Sequence, residues 1–223
     1  MKQLTTLSAV TGPHANAPLF TRGEARNPTS ALLLFHGRGA SAADMLGLSQ
    51  YFTLPETMMV VAPHAQGAQW YPHRFIVPQE ENQPDLDSAL HVVDETIHWI
   101  NGLGIPSEKI VIGGFSQGAC LTAEYVSRNT RTFAGVLILS GGLIGSDEEV
   151  VKASWSGNLQ RTPVFLGCDT NDFHIPVERV QLTSKIFHTL GAQVDERLYT
   201  NMGHTVSSDE IKACQDIIDA LNT

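Results

Sequence analysis

The sequence predicts an α/β protein with a mostly parallel central sheet and helices on both faces. Three observations predict it. Short, unbroken apolar runs recur along the 223 residues, as in strands buried on both faces. Amphipathic segments of helical length separate most of these runs, the alternation that parallel strands require. Several runs end in Gly-rich or polar loops, and in such sheets the carboxyl ends of the strands carry the reactive site.

Residues 1–30 read as an edge, with one strand from Leu4 to Val10 and a second at Leu19-Phe20-Thr21, punctuated by turns at Gly12-Pro13 and Asn27-Pro28. The run Ala31-Leu32-Leu33-Leu34-Phe35-His36 predicts a buried strand, followed by a helix from about Ser41 to Tyr51 and a second buried strand from Met58 to Ala62. Residues 63–85 fit no regular element, because four prolines interrupt them and Trp70, Tyr71 and Phe75 lie between. Leu86, Leu90, Val93, Ile97 and Ile100 then form one apolar stripe of a helix over 86–103. On its other side, His91/Glu95 and Asp94/His98 read as solvated i,i+4 pairs rather than metal ligands, since His91 and His98 are seven residues apart.

Further strands are predicted at 110–115, 135–139, 164–168 and 194–199, with helices at about 117–128 and 176–190. Residues 140–162 read as loop with one helical turn. Ser207-Ser208-Asp209-Glu210 is a capping-box signature opening a last helix with stripe Ile211, Cys214, Ile218 and Leu221. With no repeat or linker, residues 1–223 are expected to form a single domain.

Composition narrows the function. A net charge of -9 and the lack of a basic run argue against nucleic acid and anionic membranes as partners. No stretch is apolar enough to span a bilayer and the first residues lack a signal core, so a cytoplasmic location is expected. Cys120, Cys168 and Cys214 are expected to be free, buried thiols.

The chemistry centres on Ile110-Val111-Ile112-Gly113-Gly114-Phe115-Ser116-Gln117-Gly118-Ala119. A β-branched run ends in Gly-x-Ser-x-Gly and a helix follows, the layout of a nucleophile elbow that presents Ser116 at the carboxyl end of the sheet. Three more loops follow predicted strands. His36-Gly37-Arg38-Gly39 supplies the Arg38 N–H, which with the Gln117 N–H is the expected oxyanion hole; His36 itself reads as structural. The loop 167–176 holds Asp169 and Asp172, either of which could orient an imidazole while the other serves the turn. His204 in Asn201-Met202-Gly203-His204 is the expected general base.

These pieces resemble the carboxylesterase/phospholipase family of α/β-hydrolases, which includes acyl-protein thioesterases and lysophospholipases. The matching segments are Leu34–Gly39, Gly113–Ala119, Asp172-Phe173-His174-Ile175-Pro176 and Met202-Gly203-His204. The resemblance implies an α/β-hydrolase fold, and the gap between the strands at 135–139 and 164–168, where lid domains of that fold usually enter, is too short for a separate lid domain. It assigns the acid to Asp172, which opens the family's Asp-x-x-(Val/Ile)-Pro segment, and leaves Asp169 as a turn residue. It also implies that Trp70, Tyr71 and Phe75 border the acyl groove, with the Arg38 side chain emerging close by. The family often carries Leu where Arg38 stands and Asp-Pro where Asp172-Phe173 stands.

The expected activity is therefore a serine carboxylesterase working through Ser116, His204 and Asp172, on short to medium or partly polar acyl esters, with no metal and no organic cofactor. The expected partner is a small-molecule ester, and a homodimer is left open. An acyl thioesterase or lysophospholipase with the same three residues is the alternative, and a non-catalytic binding module on a hydrolase scaffold is the remote one.

Overall fold

Every residue of β3 (Ser30–Phe35) and β4 (Met58–Pro63) is buried, which is why their sequences show no polar alternation. Along β3, Ala31, Leu33 and Phe35 pack into one apolar layer while Leu32 and Leu34 pack into the other. Full burial of each such Leu or Ile side chain stabilises the fold by about 1.5–3 kcal/mol. The computed structural model describes residues 1–22 and 27–222. The remaining strands are β1 (Lys2–Leu7), β2 (Ala17–Thr21), β5 (Ile110–Phe115), β6 (Gly135–Leu139), β7 (Pro163–Asp169) and β8 (Gln193–Tyr199). The helices are α1 (Ala42–Leu48), α2 (Asp85–Gly102), α3 (Gln117–Arg128), α4 (Asp147–Lys152), α5 (Val177–Thr189) and α6 (Ser208–Asp219).

The strands form one eight-stranded sheet in the order β1-β2-β4-β3-β5-β6-β7-β8. Six strands from β4 to β8 run parallel, and β1 and β2 complete one edge antiparallel. Residues of α2, α3 and α5 fill one apolar layer, and residues of α1 and α6 fill the other. This is the sheet with helices on both faces that the sequence predicts. After β4 the chain returns to lay β5 beside β3, and this reversal creates the crevice where such sheets bind ligands.

Several boundaries differ from the sequence reading. The first strand ends at Leu7, where its pairing with β2 closes at Ala17, so Val10 is buried outside the strand. The helix expected to run to Tyr51 stops at Leu48 and ends in a 3₁₀ turn over Ser49–Tyr51. On α2 the buried face is broader than the predicted stripe, taking in Ala89, Val92 and Thr96 while Leu90 is only half-buried. Residues 63–84 hold two short 3₁₀ turns, Gln66–Ala68 and Gln79–Asn82, and the gap between β6 and β7 holds the short α4. Among the described residues no helix is long and apolar enough to cross a membrane.

Candidate active site

Ser116 joins β5 to α3 with φ 56° and ψ -119°, a region that costs a non-glycine residue on the order of 1–3 kcal/mol. The fold holds it there from both sides. The Ser116 N–H donates to the Leu139 carbonyl at 2.9 Å, and its own carbonyl accepts the Cys120 N–H at 2.9 Å. The flanking glycines are required by space. A Cβ on Gly118 would stand 2.1 Å from the Phe35 carbonyl oxygen, and one on Gly114 would stand 2.4 Å from the Gly118 backbone.

Residues from three separate loops meet at this turn. The Ser116 hydroxyl lies 2.9 Å from His204 Nε2, and His204 Nδ1 lies 2.6 Å from Asp172 Oδ2. The other Asp172 oxygen accepts the N–H groups of His174 at 2.8 Å and Ile175 at 3.1 Å, which fixes the carboxylate on its own turn. The Asp172 side chain is fully buried, and that of His204 is 16% exposed. Such a chain can move a proton from a hydroxyl to an imidazole while a carboxylate balances the new charge.

Asp169 does more than the turn role expected of it. It accepts the Asn171 N–H at 2.7 Å within its turn, but its second oxygen reaches across to the N–H groups of Met202 and Gly203. These backbone donors, Asn171 foremost, hold its carboxyl below the usual carboxylate range. It thereby ties the end of β7 to the loop that carries His204. Two aspartates in one loop were the only sequence signal for this clamp.

The loop after β3 abuts the elbow: a Cβ on Gly37 would stand 3.3 Å from Ser116 Cβ. The backbone N–H groups of Arg38 and Gln117 donate to no protein acceptor among the described residues. His36 is fully buried and structural. Its Nδ1 lies 2.8 Å from the Gly37 carbonyl and its Nε2 accepts the Ala65 N–H at 3.1 Å, so the ring is neutral with the proton on Nδ1. Burial pushes its pKa down to about 4.

A cleft of about 630 Å³ opens in front of Ser116, walled by Tyr71, Phe75, Phe115 and Ile175 among others. Tyr71 and Phe75 line it. Trp70 does not. It is fully buried, donates its indole N–H to the His36 carbonyl at 2.9 Å and packs on Phe35 and His36. The indole needs an acceptor when buried, and the end of β3 supplies one. The Arg38 side chain also lines the cleft. Its guanidinium donates to Gln69 Oε1 at 2.8 Å and to the carbonyls of Tyr71, Pro72 and His73 at 2.6–2.9 Å, so it braces the cleft wall.

Three further braces carried no sequence signal. The Gln117 amide accepts the Trp70 N–H at 2.9 Å and donates to the Tyr71 carbonyl at 2.8 Å. Buried Asn82 accepts the His73 N–H at 2.8 Å and donates to the Arg74 carbonyl at 3.1 Å. Buried His14 bonds the Trp70 carbonyl at 2.9 Å and accepts the Gln66 N–H at 3.2 Å.

Away from the cleft, the polar side of α2 forms the expected i,i+4 pairs, His91–Glu95 at 3.7 Å and His98–Asp94 at 3.3 Å. The three cysteines are free and buried, and burial raises the Cys120 and Cys168 thiols to about 12.

A mostly parallel sheet, a strained serine at the turn between a central strand and its helix, and acid and imidazole loops at neighbouring strand ends define an α/β-hydrolase. The chain belongs to the phospholipase/carboxylesterase family, whose model matches residues 19–222. A crystal structure of a phospholipase/carboxylesterase from Dyadobacter fermentans is 39% identical, covers 90% of this chain and 95% of that one, and superposes with a TM-score of 0.83. Acyl-protein thioesterase 1 of Kluyveromyces lactis is 28% identical over 89% of this chain and 93% of its own length. The carboxylesterase of Bacillus cereus, at 18% identity over 92% of this chain and 94% of that one, shares the fold with a TM-score of 0.73.

Proposed function

We propose that this hydrolase cleaves carboxylic esters through an acyl-enzyme on Ser116. The hydrogen-bonded chain from Ser116 through His204 to Asp172 is the observation that carries this reading. Ser116 Oγ attacks the acyl carbonyl carbon as His204 Nε2 takes the hydroxyl proton. The N–H groups of Arg38 and Gln117 stabilise the oxyanion, and Asp172 stabilises the imidazolium through Nδ1–H. As the intermediate collapses, the ester C–O bond breaks and Nε2–H protonates the departing alcohol oxygen. Water then attacks the acyl-enzyme, gives a proton to Nε2, and the carboxylic acid leaves as Ser116 recovers its proton.

The open cleft with Tyr71 and Phe75 in its wall favours short to medium or partly polar acyl groups. A second reading, thioester cleavage by the same groups, is favoured by the thioesterase name of a relative. Matched oxygen and sulfur esters of one acyl group separate the two: the ester reading expects the higher kcat/KM on the oxygen ester. An activated acetate ester should also give a pre-steady-state burst equal to the enzyme concentration, from acyl-enzyme accumulation. Absence of both burst and turnover would remove the proposal.

A further inference from the structure

We infer that Arg74 makes this cleft select esters whose leaving group carries an anionic substituent, a carboxylate or a phosphate; this rests on the serine-hydrolase reading above. The protein carries a net charge of -9, yet no Asp or Glu is among the residues that line the cleft. The cationic and imidazole side chains there are Arg38, Arg74, His73, His174 and His204.

The two arginines are not equivalent. Arg38 spends its guanidinium on four oxygens of residues 69–73, so it is built into the wall. Among the described residues the Arg74 guanidinium makes one hydrogen bond, from Nη2 to the His174 carbonyl at 3.2 Å, and pairs with no carboxylate. A guanidinium has five N–H donors in a planar fork that matches a carboxylate or phosphate. The backbone that carries that side chain is fixed. Asn82, fully buried, bonds the His73 N–H on one side and the Arg74 carbonyl on the other. Arg74 is thus a largely unspent cation on a fixed backbone of an acidic protein.

Its position assigns the charge to the leaving group. His204 must protonate the departing oxygen, so the leaving group sits against the imidazole. The ring of His174 lies 4.8 Å from that of His204, and Arg74 is bonded to the His174 backbone. The oxyanion donors lie on the other two loops, after β3 and at the start of α3. Arg74 is exposed, so water and salt screen the contact and the discrimination is modest, about tenfold rather than thousands.

The test uses 4-acetoxybenzoate and 4-acetoxybenzamide, which differ in the charge of the leaving phenol, each normalised to its own rate of uncatalysed hydrolysis. The wild-type enzyme should favour the carboxylate by about tenfold in kcat/KM at low salt, with the preference shrinking in 0.5 M NaCl. Because the preference is a ratio taken within one preparation, loss of folded protein cancels. Arg74→Gln should bring the ratio to about one, and Arg74→Lys should keep part of it. A third substrate, 4-acetoxyphenyl phosphate, tells a phosphate reader from a carboxylate reader by which anion is favoured more. A wild-type ratio near one, or a ratio unchanged in Arg74→Gln, would overturn the inference alone. Failure to turn over any of these esters would remove the serine-hydrolase reading and the inference with it.

Discussion

The loops after β5, β7 and β8 and the irregular stretch from Ala65 to Pro84 line the same cleft, yet they are held by different means. The first two leave buried parallel strands and are pinned by backbone bonds to the next strand, Ser116 to Leu139 and Thr170 to Tyr199, while the third leaves the partly exposed β8 and is held by Asp169 at the end of β7. The irregular stretch has no strand to lean on. Side chains from elsewhere hold its backbone: His14, His36, Arg38 and Gln117, with Asn82 from its own end. The difference teaches a division of labour. Groups that must keep sub-ångström geometry are hung on the sheet. The wall that meets the rest of the substrate is assembled from replaceable polar contacts, so it can differ while the chemistry stays.

If this division holds, changes on the sheet side act on kcat and changes on the wall act on KM and substrate preference. The largest expected effect is that of Asp172→Asn. It should lower kcat by about 10⁴, because the amide favours the wrong imidazole tautomer. A loss confined to KM would break the comparison.

Asp169→Asn comes next. It weakens the clamp on the Met202 and Gly203 N–H groups and lets the His204 loop drift, and misplacement on the order of 1 Å costs about 10²-fold. Steady-state kinetics should show a roughly 10–100-fold loss in kcat with KM nearly unchanged. If Asp169→Asn proves as damaging as Asp172→Asn, the assignment of the two aspartates is wrong.

Gln117→Ala sharpens the other side. It keeps the backbone N–H but frees the Trp70 N–H and the Tyr71 carbonyl. An acyl-length series should show KM rising by several-fold and the length preference broadening, with a smaller change in kcat.

The smallest effect is on stability. His36 is neutral in the fold, with its pKa pushed from 6.5 to about 4 by burial. The unfolded chain therefore takes up a proton near pH 6.5 while the folded chain does not until about pH 4, and stability falls as pH drops through that window. Between pH 7.5 and pH 5 the loss from this group is about 2 kcal/mol, readable as a shift in the urea midpoint. His36→Gln, which keeps a donor and an acceptor, should flatten this dependence relative to the wild type.

The same contrast explains what was legible in the sequence. The run from Ala31 to Phe35 reveals itself because a strand buried on both faces has no polar residue to hide it. The elbow is legible because Gly114 and Gly118 are demanded by contacts that no side chain survives. Ser116, Asp172 and His204 are singled out because each follows a recognisable strand. The wall is not legible by these means. Trp70 in the core and Tyr71 at the cleft look alike in sequence, and only the His36 carbonyl decides between them. Arg38 finds its partners among backbone carbonyls, which every residue carries. The Asp169 clamp joins residues 33 positions apart, and no spacing rule reaches that far.

The central claim is that Ser116 is a nucleophile activated by His204. Labelling with a fluorophosphonate, followed by peptide mass spectrometry, tests it most directly. The claim predicts one covalent phosphonate on Ser116 in the wild-type protein and a severe loss of labelling rate in His204→Ala, with Ser116→Ala unlabelled at that peptide. An intact, folded protein that takes up no label, or that carries the label on another residue, would contradict it.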